Sequence, residues 1–281
     1  MKIADALRNA RENLTRSAIA DPPREAASLL AAALGRDPVF LIAHPEYELT
    51  QAEDSKFAEF IERRSAREPF QYIVGHQEFY GLEFEVSSAV LIPRPETEIL
   101  VEDAINTLRP LKNPWFCEVG VGSGCISVSI LKNVFNSSAL GVDISPAALS
   151  IAKRNAARHK VSDRIDFFES DVLDRVNGRF DLIVSNPPYI ADGDIPGLQP
   201  EVVGHEPLSA LAGGEDGLDI IRRLADNSPE HLSPHGVILI EIGYGQADAA
   251  AKLFDIKIWC PPVFLQDLQG IRRVLRAELR T

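Results

Sequence analysis

The sequence predicts an α/β protein: a mostly parallel sheet covered by helices, preceded by a small helical bundle and joined to it by a β-hairpin. Three observations lead there. As far as about residue 75, apolar residues recur at helical spacing behind helix-start signals, with no clear strand. Near Gly75 the period shortens to two, the spacing of a strand with one buried face. From about residue 114, short apolar runs alternate with helical patterns, as expected for strand–helix–strand units. The chain has 281 residues, 45% of them hydrophobic, enough for a sizeable core in one or two domains. The expected divisions are a bundle over 1–75, a hairpin and connecting helix over 76–110, and the sheet domain over 111–281.

In the bundle, Asp21-Pro22-Pro23 reads as a helix start, with an N-cap acid followed by proline where the missing N–H would be unpaired anyway. An alanine- and leucine-rich run follows to Leu34, and Gly35 closes it. Asp37-Pro38 repeats the start signal. Thr50-x-x-Glu53 is a capping-box pattern ahead of Phe57, Phe60, Ile61 and Arg64 at helical spacing. Glu78–Val86 then alternates, with Leu82, Phe84 and Val86 on one face, which predicts the hairpin. Pro93-Arg94-Pro95-Glu96-Thr97-Glu98 opens a helix carrying Val101, Ala104, Ile105 and Leu108 at i, i+3, i+4 and i+7.

The sheet domain should begin with a strand at Trp115–Val119, followed by a helix over Gly124–Lys132. A strand over Ala139–Val142 ends at Asp143, and Ser145-Pro146 caps a helix running to about His159. Further strands are expected at Ile165–Phe168, Phe180–Val184 and Val237–Ile242. Ile256–Trp259 and Ile271–Leu275 read as a terminal strand pair.

Several function classes are disfavoured. No apolar run reaches the length of a membrane span, and the N-terminus has no signal-peptide core, so a cytoplasmic protein is expected. Three cysteines without Cys-x-x-Cys spacing, and six scattered histidines, support neither a disulfide framework nor a metal site. A net charge of −12 opposes long-range attraction to a polyanion, so direct sequence-specific nucleic-acid binding is not expected. Arg-Arg pairs at 63–64, 222–223 and 272–273 leave room for a local basic patch, although each is as readily a solvated face.

The chemistry concentrates at strand ends. Glu118-Val119-Gly120-Val121-Gly122-Ser123-Gly124 follows a strand and opens a helix, where glycines allow a sharp turn and close approach to a ligand. The spacing is G-x-G-x-G, not the G-x-G-x-x-G of a dinucleotide site. Glu118 is poor company for a pyrophosphate but suits a cationic or zwitterionic group. Asp143 ends the next strand, a position suited to ribose hydroxyls, and Ser170-Asp171-Val172 follows the third, where it can line an adenine pocket. A turn residue or a helix cap would explain each acid separately. Jointly they describe a nucleoside with a positive head, S-adenosyl-L-methionine.

Asn186-Pro187-Pro188-Tyr189 lies just past the fourth strand of this series and should face the same crevice. It resembles the motif of methyltransferases that act on a planar NH2 nitrogen. Such a nitrogen is a poor nucleophile because its lone pair is delocalised. The side-chain oxygen of Asn186 can accept one N–H and the Pro187 carbonyl the other, while the prolines stiffen that carbonyl and Tyr189 stacks on the planar group.

Five further segments extend the likeness: Gly75–Gly81, Leu91–Glu98, Asn186–Ile190, Glu206–Leu211 with Gly213-Gly214, and Asp267–Gly270. With them the whole chain resembles the PrmC/HemK family, the protein-(glutamine-N5) methyltransferases of bacterial peptide release factors. The resemblance implies a Rossmann-like class I methyltransferase domain with an antiparallel final strand. It implies transfer of a methyl group to the side-chain amide of the glutamine in the Gly-Gly-Gln loop of a class 1 release factor, leaving S-adenosyl-L-homocysteine and modulating translation termination. By matched position, Glu118, Gly120, Val121, Gly122, Ser123, Gly124, Asp143, Asp171, Val172 and Asn186 would serve the cofactor. Asn186, Pro187, Pro188 and Tyr189 would bind the target amide, with Asn186, Pro187 and Tyr189 taking part in catalysis, and the bundle would contact the release factor. Three positions depart from the family: Glu118 stands where Asp is usual, Val121 where Thr is common, and Val172 where some relatives carry an aromatic residue. A nucleic-acid amino methyltransferase and a catalytically silent adaptor are the competing readings. The first needs an added target-reading module, and the second a damaged motif.

Overall fold

A computed structural model describes residues 1–280. The chain forms two compact units. One holds Met1–His76 together with Gln199–His205; the other holds Gln77–Leu198 and the chain from Glu206 onward.

The first unit is built on helices α1 (Ile3–Arg16), α2 (Pro22–Leu34), α3 (Pro38–Ala43), α4 (Gln51–Ser65) and α5 (Phe70–Val74). Ile3, Ala6, Ala10 and Leu14 form the buried stripe of α1, and they meet Leu29 and Leu30 of α2 and Phe57, Phe60 and Ile61 of α4. The capping box at Thr50 is complete: its hydroxyl accepts from the Glu53 N–H, and the Glu53 carboxylate accepts from the Thr50 N–H at 2.8 Å. Asp37 caps α3 through the Val39 N–H, and Gly35 ends α2 in the left-handed region at φ +62°. Asp21 departs from expectation. Its own φ is +46° and its side chain makes no cap bond, because the turn into Pro22-Pro23 points the carboxylate away from the first helical N–H groups.

The later segment Pro200–His205 is also helical and belongs to this unit. Its Glu201 accepts from Arg64 at 3.2 Å and Arg67 at 2.9 Å, while Arg64 also holds Glu25 at 2.9 Å. Arg64 is therefore a buried, doubly paired cation.

The second unit, from Gln77, contains all but the first residue of a hairpin of β1 (His76–Phe79) and β2 (Leu82–Glu85), followed by α6 (Glu98–Leu108). Phe79, Phe84, Leu100, Val101, Ala104, Ile105 and Leu108 all enter its main core. The sheet proper contains β3 (Trp115–Val119), β4 (Ser138–Asp143), β5 (Ile165–Glu169), β6 (Phe180–Ser185), β7 (Leu232–Glu241), β8 (Val263–Gln266) and β9 (Arg272–Glu278), in the order β5-β4-β3-β6-β7-β9-β8. The first five are mutually parallel, and β9 runs antiparallel to both β7 and β8. Helix α7 (Cys125–Asn133) links β3 to β4 and α8 (Pro146–Arg158) links β4 to β5. Residues 219–231 form the helix leading into β7. The chain leaves β3 toward β4 but leaves β6 toward β7, on the other side. The carboxyl ends of β3 and β6 thus flank the switch point, where open α/β sheets bind ligands.

Central strands buried on both faces read as continuous apolar runs. Val237 and Leu239 enter the core on one face of β7, and Ile238 and Ile240 the core on the other. The same alternation in β3 sends Phe116 one way and Cys117 and Val119 the other. Glu118 and Glu241 therefore fall on the face that α6 and α7 cover.

Of the terminal pair expected from the sequence, Ile271–Leu275 falls almost wholly in β9, whereas Ile256–Trp259 is misplaced. Residues 256–259 are a turn, in which the Asp255 side chain accepts from the Lys257 N–H and its carbonyl from the Ile258 and Trp259 N–H groups. Trp259 packs under Phe254. The paired strand comes after Pro261-Pro262, at Val263–Gln266, a half-exposed edge without the apolar run that marks a central strand.

Thr50→Ala removes the hydroxyl half of the capping box. Its expected cost is about 1 kcal/mol, measured by urea unfolding of the bundle's helical signal.

Candidate active site

The loops after β3, β4, β5 and β6 converge on one cleft of the second unit. Its walls include Glu118 and Gly120–Ser123 from the first loop, Asp143–Ser145 from the second, Ser170–Val172 from the third and Ser185–Pro188 from the fourth. Register accounts for the convergence. Val119 lies beside both Val142 and Ser185, so Gly120, Asp143 and Asn186 emerge at one level. Of the residues singled out in the sequence, Gly124 and Tyr189 stand outside the lining. Gly124 starts α7 at φ +78°, where an added Cβ would press on Ala152 at 3.2 Å; its role is close helix packing.

The glycine loop is held by backbone and by one carboxylate. Gly120 and Val121 donate to the Val142 carbonyl at 2.8 and 3.0 Å. Asp143 accepts from the Gly122 N–H through one oxygen and the Ser145 N–H through the other, both at 2.9 Å. Each oxygen keeps a second lone pair for a ligand hydroxyl. Val121 is buried against Leu149, Ala152 and Phe167, so its methyl groups pack where a hydroxyl would lack a partner.

Glu118 is fully buried. One of its oxygens accepts from the Ser127 N–H and hydroxyl; the other, Oε1, has no partner. Loss of water, opposed by the Ser127 bonds, pushes its pKa up to about 8. An acid kept short of hydrogen bonds beside a cleft fits a cationic nitrogen. The loop N–H groups of Gly120, Val121 and Gly122 are already taken within the protein, which makes the loop a poor cradle for a pyrophosphate.

Asp171 and Val172 divide their tasks. The Asp171 carboxylate turns outward to Arg223 at 2.8 Å, so only the rest of this residue faces the cleft. Val172 carries φ +50°, a rare conformation for a β-branched residue, and its buried side chain reaches the cleft wall.

Asn186 donates from Nδ2 to the Thr97 hydroxyl at 3.2 Å, which leaves Oδ1 as its free acceptor. Around the double proline the chain is cradled closely. A Cβ on Gly217 would lie 2.4 Å from the Tyr189 carbonyl, and one on Gly213 2.8 Å from the Pro188 carbonyl. Gln246 donates to the Tyr189 carbonyl at 2.9 Å. The Tyr189 hydroxyl bonds Glu241 at 3.3 Å, and burial together with that carboxylate pushes the phenol's pKa up. Glu241 is itself buried; desolvation pushes it up to about 7, against the pull of Thr97 and Tyr189. Arg94 pairs with Glu206 at 2.6 Å, not with Glu96 or Glu98 as its neighbours in sequence suggest.

Sequence reading assigned no role to Thr97, Glu241, Glu206 or Gln246, although Thr97 and Glu206 lie in two of the segments that carry the family likeness. Glu241 had a signal: like Glu118, it is an acid ending an apolar strand run. The Arg-Arg pairs form no basic patch. Arg63 pairs with Glu68, Arg64 with Glu25 and Glu201, Arg222 with Asp216 and Asp219, Arg223 with Asp171, Arg272 with Asp248 and Arg273 with Asp267. Among the described residues no helix is long and apolar enough to cross a membrane.

Comparison with known proteins gives a consistent picture. Residues 5–75 match the model of the PrmC N-terminal domain, and residues 97–200 that of the methyltransferase small domain. A release factor glutamine methyltransferase of Koribacter versatilis is 44% identical over 98% of this chain and 98% of its own. One from Geobacter sulfurreducens is 43% identical over 89% of this chain and 87% of its own. Among solved structures, a T. thermophilus 16S rRNA N2 methyltransferase in complex with AdoMet and guanosine shares the fold. It has a TM-score of 0.53 at 19% identity, over 73% of this chain and 50% of that one.

Glu118 keeps its proton to about pH 8 in the folded protein, whereas the unfolded chain releases it near pH 4.5. Its stabilising contribution is therefore full below pH 4.5 and is lost as pH rises to about 8. Between pH 6 and pH 8 the ligand-free protein should lose about 2 kcal/mol relative to Glu118→Gln, read from urea unfolding at the two pH values.

Proposed function

The chain belongs to the release factor glutamine methyltransferase family, and we propose that it methylates N5 of the glutamine in the Gly-Gly-Gln loop of a class 1 peptide chain release factor. The enzyme uses S-adenosyl-L-methionine, which supplies when bound a methyl group on a sulfonium and leaves as S-adenosyl-L-homocysteine.

The observation that carries the acceptor half is Asn186. Its Nδ2 is committed to Thr97, so Oδ1 is the atom left to accept an N–H beside the cleft. Asn186 Oδ1 and the Pro187 carbonyl would grip the two N–H bonds of a primary amide. Gripped in this way, the nitrogen can turn its lone pair out of conjugation and toward the methyl carbon. A carbon–nitrogen bond then forms as the carbon–sulfur bond breaks, the bonding pair stays on sulfur, and one proton leaves the nitrogen for solvent. Positioning contributes most here, because the sulfonium is already a strong electrophile. The glycine and Gln246 cradle around Pro187-Pro188-Tyr189 supports this role by denying the loop other conformations.

For the cofactor half, Glu118 would hold the ammonium of the methionine moiety, taking up its unpartnered Oε1. Asp143 would hold ribose hydroxyls with the lone pairs not used by Gly122 and Ser145. Gly120, Val121, Gly122 and Ser123 would shape the floor, and Val172 an apolar wall for adenine. Asp171 would contribute backbone, since its carboxylate serves Arg223. Pro188 would bound the acceptor pocket. Tyr189 would act from behind the loop, not by stacking on the substrate.

The bundle would dock the release factor. Val39 and Ile42 of α3 stand 66% and 81% exposed, apolar positions with no packing role in their own unit. A translation-factor substrate fits a reaction in the cytoplasm, and the pairing of the arginines at 63–64, 222–223 and 272–273 with carboxylates supports a protein substrate over naked RNA.

A labelled-methyl assay tests the reading. Label should pass to the release factor, be lost when the Gly-Gly-Gln glutamine is replaced, and not appear on protein-free RNA; persistence on the replaced substrate would sink the assignment. Asn186→Ala should slow transfer by about 10²–10³-fold with little change in cofactor affinity. Asp143→Ala should weaken cofactor binding first, by calorimetry.

A further inference from the structure

Two segments besides the Asn186–Ile190 motif wall the cleft. Pro93, Arg94 and Thr97 line it from the stretch ahead of α6, and Pro207, Ser209 and Ala210 from the stretch that follows residue 205. Neither stretch is the end of a sheet strand, so strand register alone does not fix where these walls stand.

A closed circuit of bonds does. Asn186 donates from Nδ2 to the Thr97 hydroxyl at 3.2 Å. Thr97 ends a single 3-10 turn, and its N–H donates to the Arg94 carbonyl at 3.1 Å. The Arg94 guanidinium crosses to the Glu206 carboxylate at 2.6 Å, joining residues 112 positions apart. From Glu206 the chain enters a second 3-10 turn, Leu208–Ala210, where Ala210 donates to the Pro207 carbonyl and Leu211 to the Leu208 carbonyl. Ile190 then donates to the Leu211 carbonyl at 3.0 Å and accepts from the Gly213 N–H at 2.8 Å, which returns the circuit to the motif. Arg94–Glu206 is its one ionic link.

That link is also the one with no substitute. The Glu206 side chain is 2% exposed and its Oε2 has no partner. Burial raises its pKa, and the Arg94 charge opposes the shift. Taking away one member of a buried pair leaves the other uncompensated, and the chain must move to relieve it. The cofactor loops do not depend on this link. Gly120 and Val121 are held by the Val142 carbonyl, and Gly122 and Ser145 by Asp143.

We propose that Arg94 and Glu206 are positioning residues for methyl transfer: their ion pair closes a frame around the acceptor motif and holds both flanking walls in place for the target side chain. This rests on the release-factor reading of the cleft and adds to it a carboxylate too deeply buried to meet the substrate. The reacting nitrogen must keep both N–H bonds on their acceptors while it approaches the methyl carbon, so play in the walls lowers rate more than affinity.

The test is a double-mutant cycle with Arg94→Met, which keeps an apolar stem, and Glu206→Gln, which keeps the shape. With release factor and labelled S-adenosyl-L-methionine, each should lower kcat by about ten- to a hundredfold. KM for the release factor and Kd for the cofactor should stay within about threefold. The double variant should be within about threefold of the slower single one, because a link can be broken only once. Arg94→Lys should recover most of kcat, since the pair is made through Nη2 alone and an ammonium can supply that contact. Losses that multiply in the double variant, an Arg94→Met kcat within about twofold of the unaltered enzyme, or no recovery by Arg94→Lys would each overturn the proposal. Backbone hydrogen exchange gives a readout without substrate. Both single variants should speed exchange at Ile190 and Gly213 by about tenfold or more and leave Gly120 and Gly122 as they are. Unchanged exchange at Ile190 and Gly213, or equal acceleration at all four, would also overturn it. No transfer to release factor by the unaltered protein would defeat the substrate reading, leaving the exchange arm to judge the frame.

Discussion

Two carboxylates lie out of reach of water at the carboxyl edge of a parallel sheet, and most of the site can be understood from what each demands. A buried acid is costly unless it is hydrogen-bonded, neutralised or supplied with a cation. Glu118 receives two bonds from Ser127 and keeps one oxygen bare beside the cleft. Glu241 meets the Tyr189 hydroxyl through one oxygen, and its other, Oε2, is likewise without a partner. The first is left incomplete in a way that a positively charged ligand would complete. The second is met from within the protein on one side only, by Tyr189 behind the double proline.

Rigidity on the acceptor side comes from crowding more than from proline alone. Pro187 and Pro188 remove backbone freedom, but Gly213, Gly217 and Gly243 are what let two separate loops approach the motif within van der Waals distance. Gln246 bridges them, accepting from the Gly243 N–H and donating to the Tyr189 and Gly217 carbonyls. Amide methylation asks for this kind of construction, since the substrate nitrogen becomes nucleophilic only while both its N–H bonds are held.

Local signals carried well from sequence to structure. The Thr50 capping box, the Gly35 helix stop, the stripe along α6 and the strand at Trp115–Val119 all depend on residues a few positions apart, and all are present. Where a local signal could be satisfied in two ways, it misled. Asp21 looked like a cap but sits in a left-handed turn, and residues 256–259 looked like a strand but wind around Asp255. The acids told a similar story. Asp143 lines the cleft as its place suggested, while Asp171, equally well placed at a strand end, is drawn outward by an arginine 52 residues away.

By itself the sequence determined the class of fold, the glycine loop, the acid that follows each of two strands and the Asn-Pro-Pro-Tyr motif. Each is written in residue types whose backbone preferences or charges act over a few positions. Only the tertiary structure decided which partner each side chain takes. Thr97 behind Asn186, Glu241 behind Tyr189, Glu206 against Arg94, and the glycines against the double proline are meetings set by strand register and helix packing. Hydrogen bonding is short-ranged in space and indifferent to separation along the chain, so no pattern of spacing could announce them.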